Sequence, residues 1–153
     1  MTAPADAAAL PLVYVLNGPN LNLLGTREPE VYGHHTLADI EQMVRERAEE
    51  LRVDIVFRQT NHEGQLVDWL HEAHNRRAKA VLLNAGGYTH TSIALLDAIR
   101  AIAVPVIEVH LSDPSAREPF RHHSFIGIGA VHEVKGLGVR GYLLALEHAA
   151  KLS

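Results

Sequence analysis

The feature of this sequence that most constrains its fold is the alternation of short apolar runs with amphipathic helical patterns. Apolar runs at residues 12–16, 53–57, 80–83 and 104–109 have the length of buried strands, and a weaker fifth run lies within residues 126–135. Helical patterns occur at residues 36–51, from residue 61 onward, at 91–103 and at 141–152, with apolar side chains three and four positions apart. Residues 17–35 and 111–124 have neither period, and they are interpreted as loops.

This alternation predicts the fold class. Strands that are buried on both faces have continuous apolar sequences, as these have, and they occur in parallel sheets covered by helices. Because crossovers are right-handed and the sequence offers five strands, we expect a flavodoxin-like doubly wound α/β fold. Its five-stranded parallel sheet would have the order 2-1-3-4-5, with helices on both faces.

Composition limits the domain count and the classes of partner. The chain has 153 residues, so residues 12–153 are expected to form a single α/β domain, preceded by a flexible tail at residues 1–11. It contains no cysteine, which excludes disulfides and thiolate nucleophiles and fits a cytoplasmic protein. The net charge of −4 without a basic run argues against nucleic acid as a partner, and no apolar stretch is long enough to predict a membrane span.

Polar side chains gather where the predicted strands end. Ligands of doubly wound sheets bind at the carboxyl ends of the strands. Asparagine, histidine, arginine and tyrosine follow these ends, although lysine and glutamate are more typical of surface loops. Loops are polar in any protein, but these residue types favour a site for a small polar molecule. The residues that follow the four strand ends are Asn17, Asn20, Asn22, Arg27 and Tyr32; Arg58, Asn61, His62 and Glu63; Asn84, Gly86, Gly87, Tyr88, Thr89 and His90; and Glu108, His110, Ser112, Arg117 and Arg121.

Two other kinds of site have weak signals. The loop "GPNLNLLG" is neither a Walker motif nor a GxGxxG fingerprint, which argues against a flavin or nucleotide binder of this fold. The paired histidines at 34–35, 71/74 and 122–123 form no HExxH motif and are interpreted as surface or hydrogen-bonded side chains. His90 and His110 differ from them, since both follow strands toward the proposed site and could act as acids or bases.

Five long blocks resemble one family. They are similar to blocks of the type II 3-dehydroquinate dehydratases and stand in the same order: "NGPNLNLLGTREPEVYG", "NHEGQLVDWL", "NAGGYTHTS", "PVIEVHLSD" and "REPFRHHS". The match runs from about residue 12 to residue 146. The resemblance implies dehydration of 3-dehydroquinate to 3-dehydroshikimate by anti elimination through an enolate. It implies no cofactor, no metal and no Schiff-base lysine, and a homo-oligomer that is usually a dodecamer of four trimers.

The resemblance also assigns roles to residues. It implies that Tyr32 is the base, that His110 is the general acid and that Glu108 orients it. A phenol is mostly protonated at neutral pH, and a nearby guanidinium favours the phenolate, so Arg27 on the same loop could activate the base. The implied catalytic set is Tyr32, His110, Arg27, Asn17 and Glu108. The implied substrate-binding set is Asn84, His90, Asp97, Leu111, Ser112, Arg121 and Arg117, with Asp97 reaching the site of a neighbouring subunit.

Alternatives and departures remain at this stage. Tyr32 could only anchor a lid, Glu108 could be a structural ion-pair partner, and Asp97 could be an ordinary helix acid. The family often has proline where this chain has Ala85, and residues 113–116 and 131–135 also differ, the latter by being more polar than usual. The polar stretch predicts an edge strand or an altered subunit contact. A catalytically silent member that binds a small anion is the rival hypothesis, but it should lack the base or the acid.

Overall fold

A single parallel sheet organises the protein. The computed structural model describes residues 9–26 and 28–153, so the first eight residues of the predicted tail lie outside the described residues. In the described part, the strands are β1 (Leu12–Asn17), β2 (Asp54–Gln59), β3 (Ala80–Asn84), β4 (Val106–Val109) and β5 (His132–Val134). All neighbouring pairs are parallel, and the order is β2-β1-β3-β4-β5. The predicted strand order is therefore confirmed.

Helices cover both faces of this sheet, as predicted. They are α1 (Pro29–Tyr32), α2 (Leu37–Leu51), α3 (Glu63–Asn75), α4 (Ile93–Ala101), α5 (Phe125–Gly129) and α6 (Arg140–Ala150). Apolar side chains of α2 and α6 form one core with the sheet, and those of α3, α4 and α5 form a second core on the other face. No helix in the described ranges is both long and apolar enough to span a bilayer.

The central strand shows why its sequence is continuously apolar. Side chains alternate across a strand, so Val13 and Val15 of β1 enter the core with α2 and α6. Tyr14 and Leu16 enter the opposite core with α3 and α4. Because helices lie on both sides, both sets must be buried, and the alternation of polar and apolar residues typical of half-exposed strands is lost.

Local sequence signals set where the helices begin. Thr36 caps α2 by accepting a hydrogen bond from the amide of Asp39, whose carboxylate accepts from the amide of Thr36 in return. Ser92 caps α4 through one hydrogen bond only, which its hydroxyl accepts from the amide of Leu95. The helix predicted from residue 61 onward begins slightly later in the structure, since α3 starts at Glu63.

Several short elements lie in stretches where the sequence pattern predicts loops or a strand. Helix α1 lies in the first loop, and two single 3-10 turns, Pro114–Ala116 and Pro119–Arg121, lie in the stretch after β4. Helix α5 occupies the start of the segment in which a strand was predicted, so β5 is confined to three residues at the sheet edge. The predicted edge position of this polar strand is thus confirmed.

Candidate active site

A cavity of about 200 Å³ lies at the carboxyl ends of β1, β3 and β4. This is the edge at which a doubly wound sheet places its ligand. Side chains from four separate segments line it, and most are polar. The lining residues are Pro19, Asn20, Leu21, Tyr32, Asn84, Gly86, Gly87, His90, His110, Leu111, Ser112, Pro114, Arg117 and Arg121.

Tyr32 and Arg117 meet at one wall of this cavity. The Nη1 group of Arg117 donates a hydrogen bond of 2.9 Å to the Tyr32 hydroxyl, and the guanidinium carbon lies 5.2 Å from the ring centroid. The Arg117 side chain is only 16% exposed, so solvent screens its charge weakly. A cation in this position favours the ionised form of a phenol over the neutral form.

His110, which lines the cavity, forms a buried pair with Glu108 behind it. The Nε2 atom of His110 lies 2.5 Å from Oε2 of Glu108, which also accepts a 2.6 Å hydrogen bond from the Ser124 hydroxyl. Burial raises the pKa of the Glu108 carboxyl group, but the hydrogen bonds and the charge of His110 oppose this and hold the pKa below its ordinary value. An ionised Glu108 fixes the ring and leaves Nδ1 as the nitrogen available to the cavity.

A chain of hydrogen bonds lies beneath the cavity. It includes Tyr142, which was not among the predicted site residues. The hydroxyl of Tyr142, on α6, donates to Oδ1 of Asn17 at 2.7 Å and accepts from Nδ2 of Asn84 at 2.9 Å. All three residues are buried. Asn17 also donates from Nδ2 to the carbonyl of Arg58 at 3.0 Å, so the chain crosses the sheet beneath the pocket. A tyrosine at the start of an otherwise Leu- and Ala-rich helix was the only signal in the sequence.

His90 presents a hydrogen-bond acceptor to the cavity. Its Nδ1 lies 2.8 Å from the carbonyl oxygen of His123, and a carbonyl can only accept, so Nδ1 carries a proton. Burial lowers the pKa of His90, which favours the neutral ring. Its Nε2 is then unprotonated and can accept a hydrogen bond from a ligand hydroxyl.

Two glycine positions allow the loops to meet above β1 and β3. A side-chain carbon on Gly18 would lie 2.4 Å from the carbonyl oxygen of Ala85, closer than any real contact. Gly86 has a φ of +60° and lies against Pro19. The two loops that frame the cavity therefore pack backbone to backbone, which only glycine permits here.

The family model described as "Dehydroquinase class II" matches residues 11–150. The chain belongs to the type II dehydroquinase family. It is 55% identical over 134 residues to the 3-dehydroquinate dehydratase of Rhodopseudomonas palustris strain HaA2, covering 88% of this chain and 89% of that protein. It is 59% identical over 138 residues to the 3-dehydroquinate dehydratase 2 of Ralstonia nicotianae, covering 88% and 90%. The crystal structure of the type II dehydroquinase from Butyrivibrio crossotus superposes with a TM-score of 0.90 at 34% identity, covering 92% and 97%.

Most of the site residues predicted for this type II dehydroquinase lie together. Eight of them line the cavity: Tyr32, Asn84, His90, His110, Leu111, Ser112, Arg117 and Arg121. Asn17 and Glu108 lie behind its wall and touch lining residues or their supports. Asp97 is exposed on α4 and is not among the lining residues of its own subunit. Arg27 lies outside the described residues.

The departures from the usual type II dehydroquinase sequence are accommodated locally. Asp113 accepts hydrogen bonds from the amide and the hydroxyl of Ser115, at 3.0 and 2.6 Å, and so caps the turn that places Pro114 on the cavity wall. Ala85 is buried beside Gly18 and offers no functional group.

One group of side chains in the described residues has the composition of a metal site. Ligand atoms of Glu108, His110 and Glu133 lie within 4.8 Å of one another. The nearest two of these side chains are already joined by the 2.5 Å contact between His110 and Glu108. A metal shared by them would require that hydrogen bond to open.

Proposed function

We propose that this chain removes water from 3-dehydroquinate to give 3-dehydroshikimate, by anti elimination through an enolate. The observation that carries the proposal is a single cavity lined both by a phenol in contact with a cation and by an imidazole backed by a carboxylate. An elimination needs a base to take the proton and an acid to protonate the leaving hydroxyl, and these two lining groups can fill those roles. Membership of the type II dehydroquinases, and relatives named 3-dehydroquinate dehydratase, support this substrate.

The phenolate of Tyr32 is the proposed base. It takes the proton from the carbon next to the substrate ketone, and the electron pair of the C–H bond moves into an enolate. The 2.9 Å hydrogen bond from Arg117 supports this role, since a cationic donor to the phenol oxygen stabilises the phenolate. Arg27, which was expected to supply that charge, lies outside the described residues and stays a prediction, and Arg117 is proposed as a cation that acts on the phenol.

His110 is the proposed general acid. When the enolate collapses, the C–O bond on the adjacent carbon breaks, and the proton on Nδ1 of the imidazolium passes to the leaving oxygen to form water. The 2.5 Å contact between Nε2 and Glu108 supports this assignment, because an ionised partner stabilises the imidazolium and fixes the ring. Glu108 acts through His110, so we assign it a positioning role.

The remaining groups are proposed to hold the substrate. The hydroxyl and amide of Ser112 and the amide of Leu111 suit a carboxylate, and Arg117 also lies 3.4 Å from the Ser112 hydroxyl. His90 can accept from a substrate hydroxyl, and Arg121, held at 2.9 Å by Glu118, can donate to one. Asn84 lines the cavity directly, whereas Asn17 supports it through Tyr142.

An oligomer completes the proposal. Ile93 and Asp97 are exposed on α4 and lie four residues apart, on one side of the helix. Ile128 is also half-exposed, on the neighbouring helix α5. An apolar face beside an acid suits a contact with a second copy that receives Asp97 at its site. The expected dodecamer of four trimers requires such a contact. Light scattering should give twelve subunits, and a monomer active at full rate would contradict this part of the proposal.

The first experiment is a direct assay. Protein treated with a chelator is mixed with 3-dehydroquinate, and the ultraviolet absorbance of the conjugated product is followed. We expect absorbance to rise with wild type, and no detectable rise with Tyr32→Phe or His110→Asn. Tyr88→Phe is the matched control, since it removes a phenol hydroxyl that bonds to the Asn61 carbonyl and does not line the cavity. Substantial turnover by folded Tyr32→Phe protein would show that Tyr32 is not the base, and a silent wild type would favour the anion-binding alternative.

A further inference from the structure

A second carboxyl group lies behind the proposed acid. Strands β4 and β5 pair Glu108 with Glu133, so both side chains project from the same face of the sheet. A ligand atom of the Glu133 carboxyl group lies within 4.8 Å of those of Glu108 and His110. The charged groups around His110 thus include a second carboxyl group beyond that of Glu108.

Only one of the two carboxylate oxygens of Glu108 has hydrogen-bond donors among the described residues. Glu108 is fully buried, and its Oε2 takes the hydrogen bonds from His110 and Ser124. Its Oε1 has no donor among the described residues. That oxygen lies beside Gly127, where an added side-chain carbon would approach it to 3.0 Å. A buried carboxylate oxygen without a donor is costly, so the groups near it have a large influence on its charge.

Solvent reaches this region through a cavity that shares no lining residue with the substrate cavity. A second cavity of about 200 Å³ is lined by Glu108, Gly127, Glu133 and residues 130–132. The Glu133 side chain is 41% exposed there, and its Oε1 lies 3.5 Å from Nζ of Lys135. Glu133 and Lys135 therefore form an accessible pair of opposite charges at the back of the His110–Glu108 pair.

We propose that Glu133 is a positioning residue for the acid: acting through Glu108, its carboxylate extends to higher pH the range in which His110 holds the proton it donates. Two negative charges behind an imidazolium stabilise it more than one does. Lys135 opposes the effect, because its positive charge lies on the same side. The proposal rests on the assignment of His110 as general acid.

Other charged groups also face His110 and set the background for this effect. Asp113 interacts with His110 through its charge from the turn after β4, and His90 does so from the segment after β3. Arg117 and Arg121 line the same cavity. None of these groups is replaced in the variants at positions 133 and 135, although Oδ1 of Asp113 also lies 4.0 Å from Nζ of Lys135.

The test compares two variants of opposite expected sign. Single-turnover rates with 3-dehydroquinate are measured against pH for Glu133→Gln and Lys135→Gln. In Glu133→Gln the pH at which the single-turnover rate begins to fall on the alkaline side should decrease by about half a unit. At pH values above that point, the rate should then be about threefold lower than in wild type. In Lys135→Gln the same pH should increase by a similar amount. Both shifts should shrink in about 1 M salt, because these charges are exposed.

Glu49→Gln is the matched control, since it removes one exposed carboxylate from α2, far from the site. Its profile should overlie that of wild type, and all rates should agree below the pH at which the rate begins to fall. A Glu133→Gln profile identical to wild type would overturn the proposal. So would shifts of the same sign in both variants, or an equal loss of rate at every pH, which indicates a structural role. If His110→Asn retains turnover, the acid assignment itself fails, and that result is distinct from each of these.

Discussion

Replacing Tyr142 by phenylalanine tests whether the buried chain beneath the cavity stabilises the fold. The substitution removes one hydroxyl and keeps the ring, which is 1% exposed between α6 and the sheet. It leaves Oδ1 of Asn17 and Nδ2 of Asn84 without their partner. Neither group can turn to water, since Asn17 is fully buried and Asn84 is 4% exposed.

The expected cost follows from these two orphaned groups. Each buried polar atom that loses its partner costs about 1–3 kcal/mol, and removing the buried hydroxyl returns about 1 kcal/mol or more. We therefore expect Tyr142→Phe to lower the free energy of unfolding by about 2–4 kcal/mol. We also expect kcat/KM to fall, because Asn84 lines the cavity and is held in place by this hydroxyl.

The assay is urea unfolding at one fixed protein concentration, since assembly contributes to apparent stability. The midpoint should fall while the m-value stays constant. Tyr88→Phe provides the control, because its hydroxyl bonds to the carbonyl of Asn61 near the surface, where water can replace it. If the two variants lose the same small amount of stability, the Tyr142 hydroxyl does not stabilise the fold in the way argued here.

Two further predictions concern backbone packing and acid stability. Gly18→Ala should lower the midpoint and reduce turnover, because the new carbon would lie 2.4 Å from the Ala85 carbonyl oxygen; overpacking of this kind costs about 1–3 kcal/mol. Gly64→Ala, in α3 with nothing within 4 Å, should instead be neutral or stabilising by about 0.5–1 kcal/mol, and a loss at both positions would contradict the steric explanation. The hydrogen bond from Arg58 is the main cause that lowers the pKa of Glu72, so this carboxylate stabilises the fold above pH of about 4.3 and loses that contribution as the pH falls through its lowered value. Glu72→Gln should therefore flatten the acid side of the stability profile, measured as thermal midpoint against pH, and an unchanged profile would show that the ion pair contributes nothing measurable.

The sequence determined the layout of the fold because its signals are local. Continuous apolar runs predicted strands buried on both faces, and the strand order followed from right-handed crossovers. Thr36 with Asp39, and Ser92, cap the starts of α2 and α4 through side-chain hydrogen bonds to nearby backbone amides, which are local features of the sequence. The short helices α1 and α5 gave no such signal, since four or five residues are too few to establish a helical period.

The sequence also determined which residue types lie at the rim of the sheet, because each follows a strand end. It could not determine which of them touch. Arg117 reaches Tyr32 across 85 positions of the chain, and Tyr142 reaches Asn17 across 125. Glu133 lies beside Glu108 only because β5 pairs with β4 in that register.

These contacts were decided by the tertiary structure for a physical reason. Hydrogen bonds and charge interactions act over a few ångströms, and separation along the chain says nothing about distances of that size until the sheet and its loops are in place. The sequence thus determined the sheet, its helices and the inventory of the site. Only the packed structure decided that Arg117 contacts the phenol of Tyr32 and that Tyr142 supports the asparagines beneath the cavity. It also decided that Glu133 lies beside Glu108, the partner of the proposed acid.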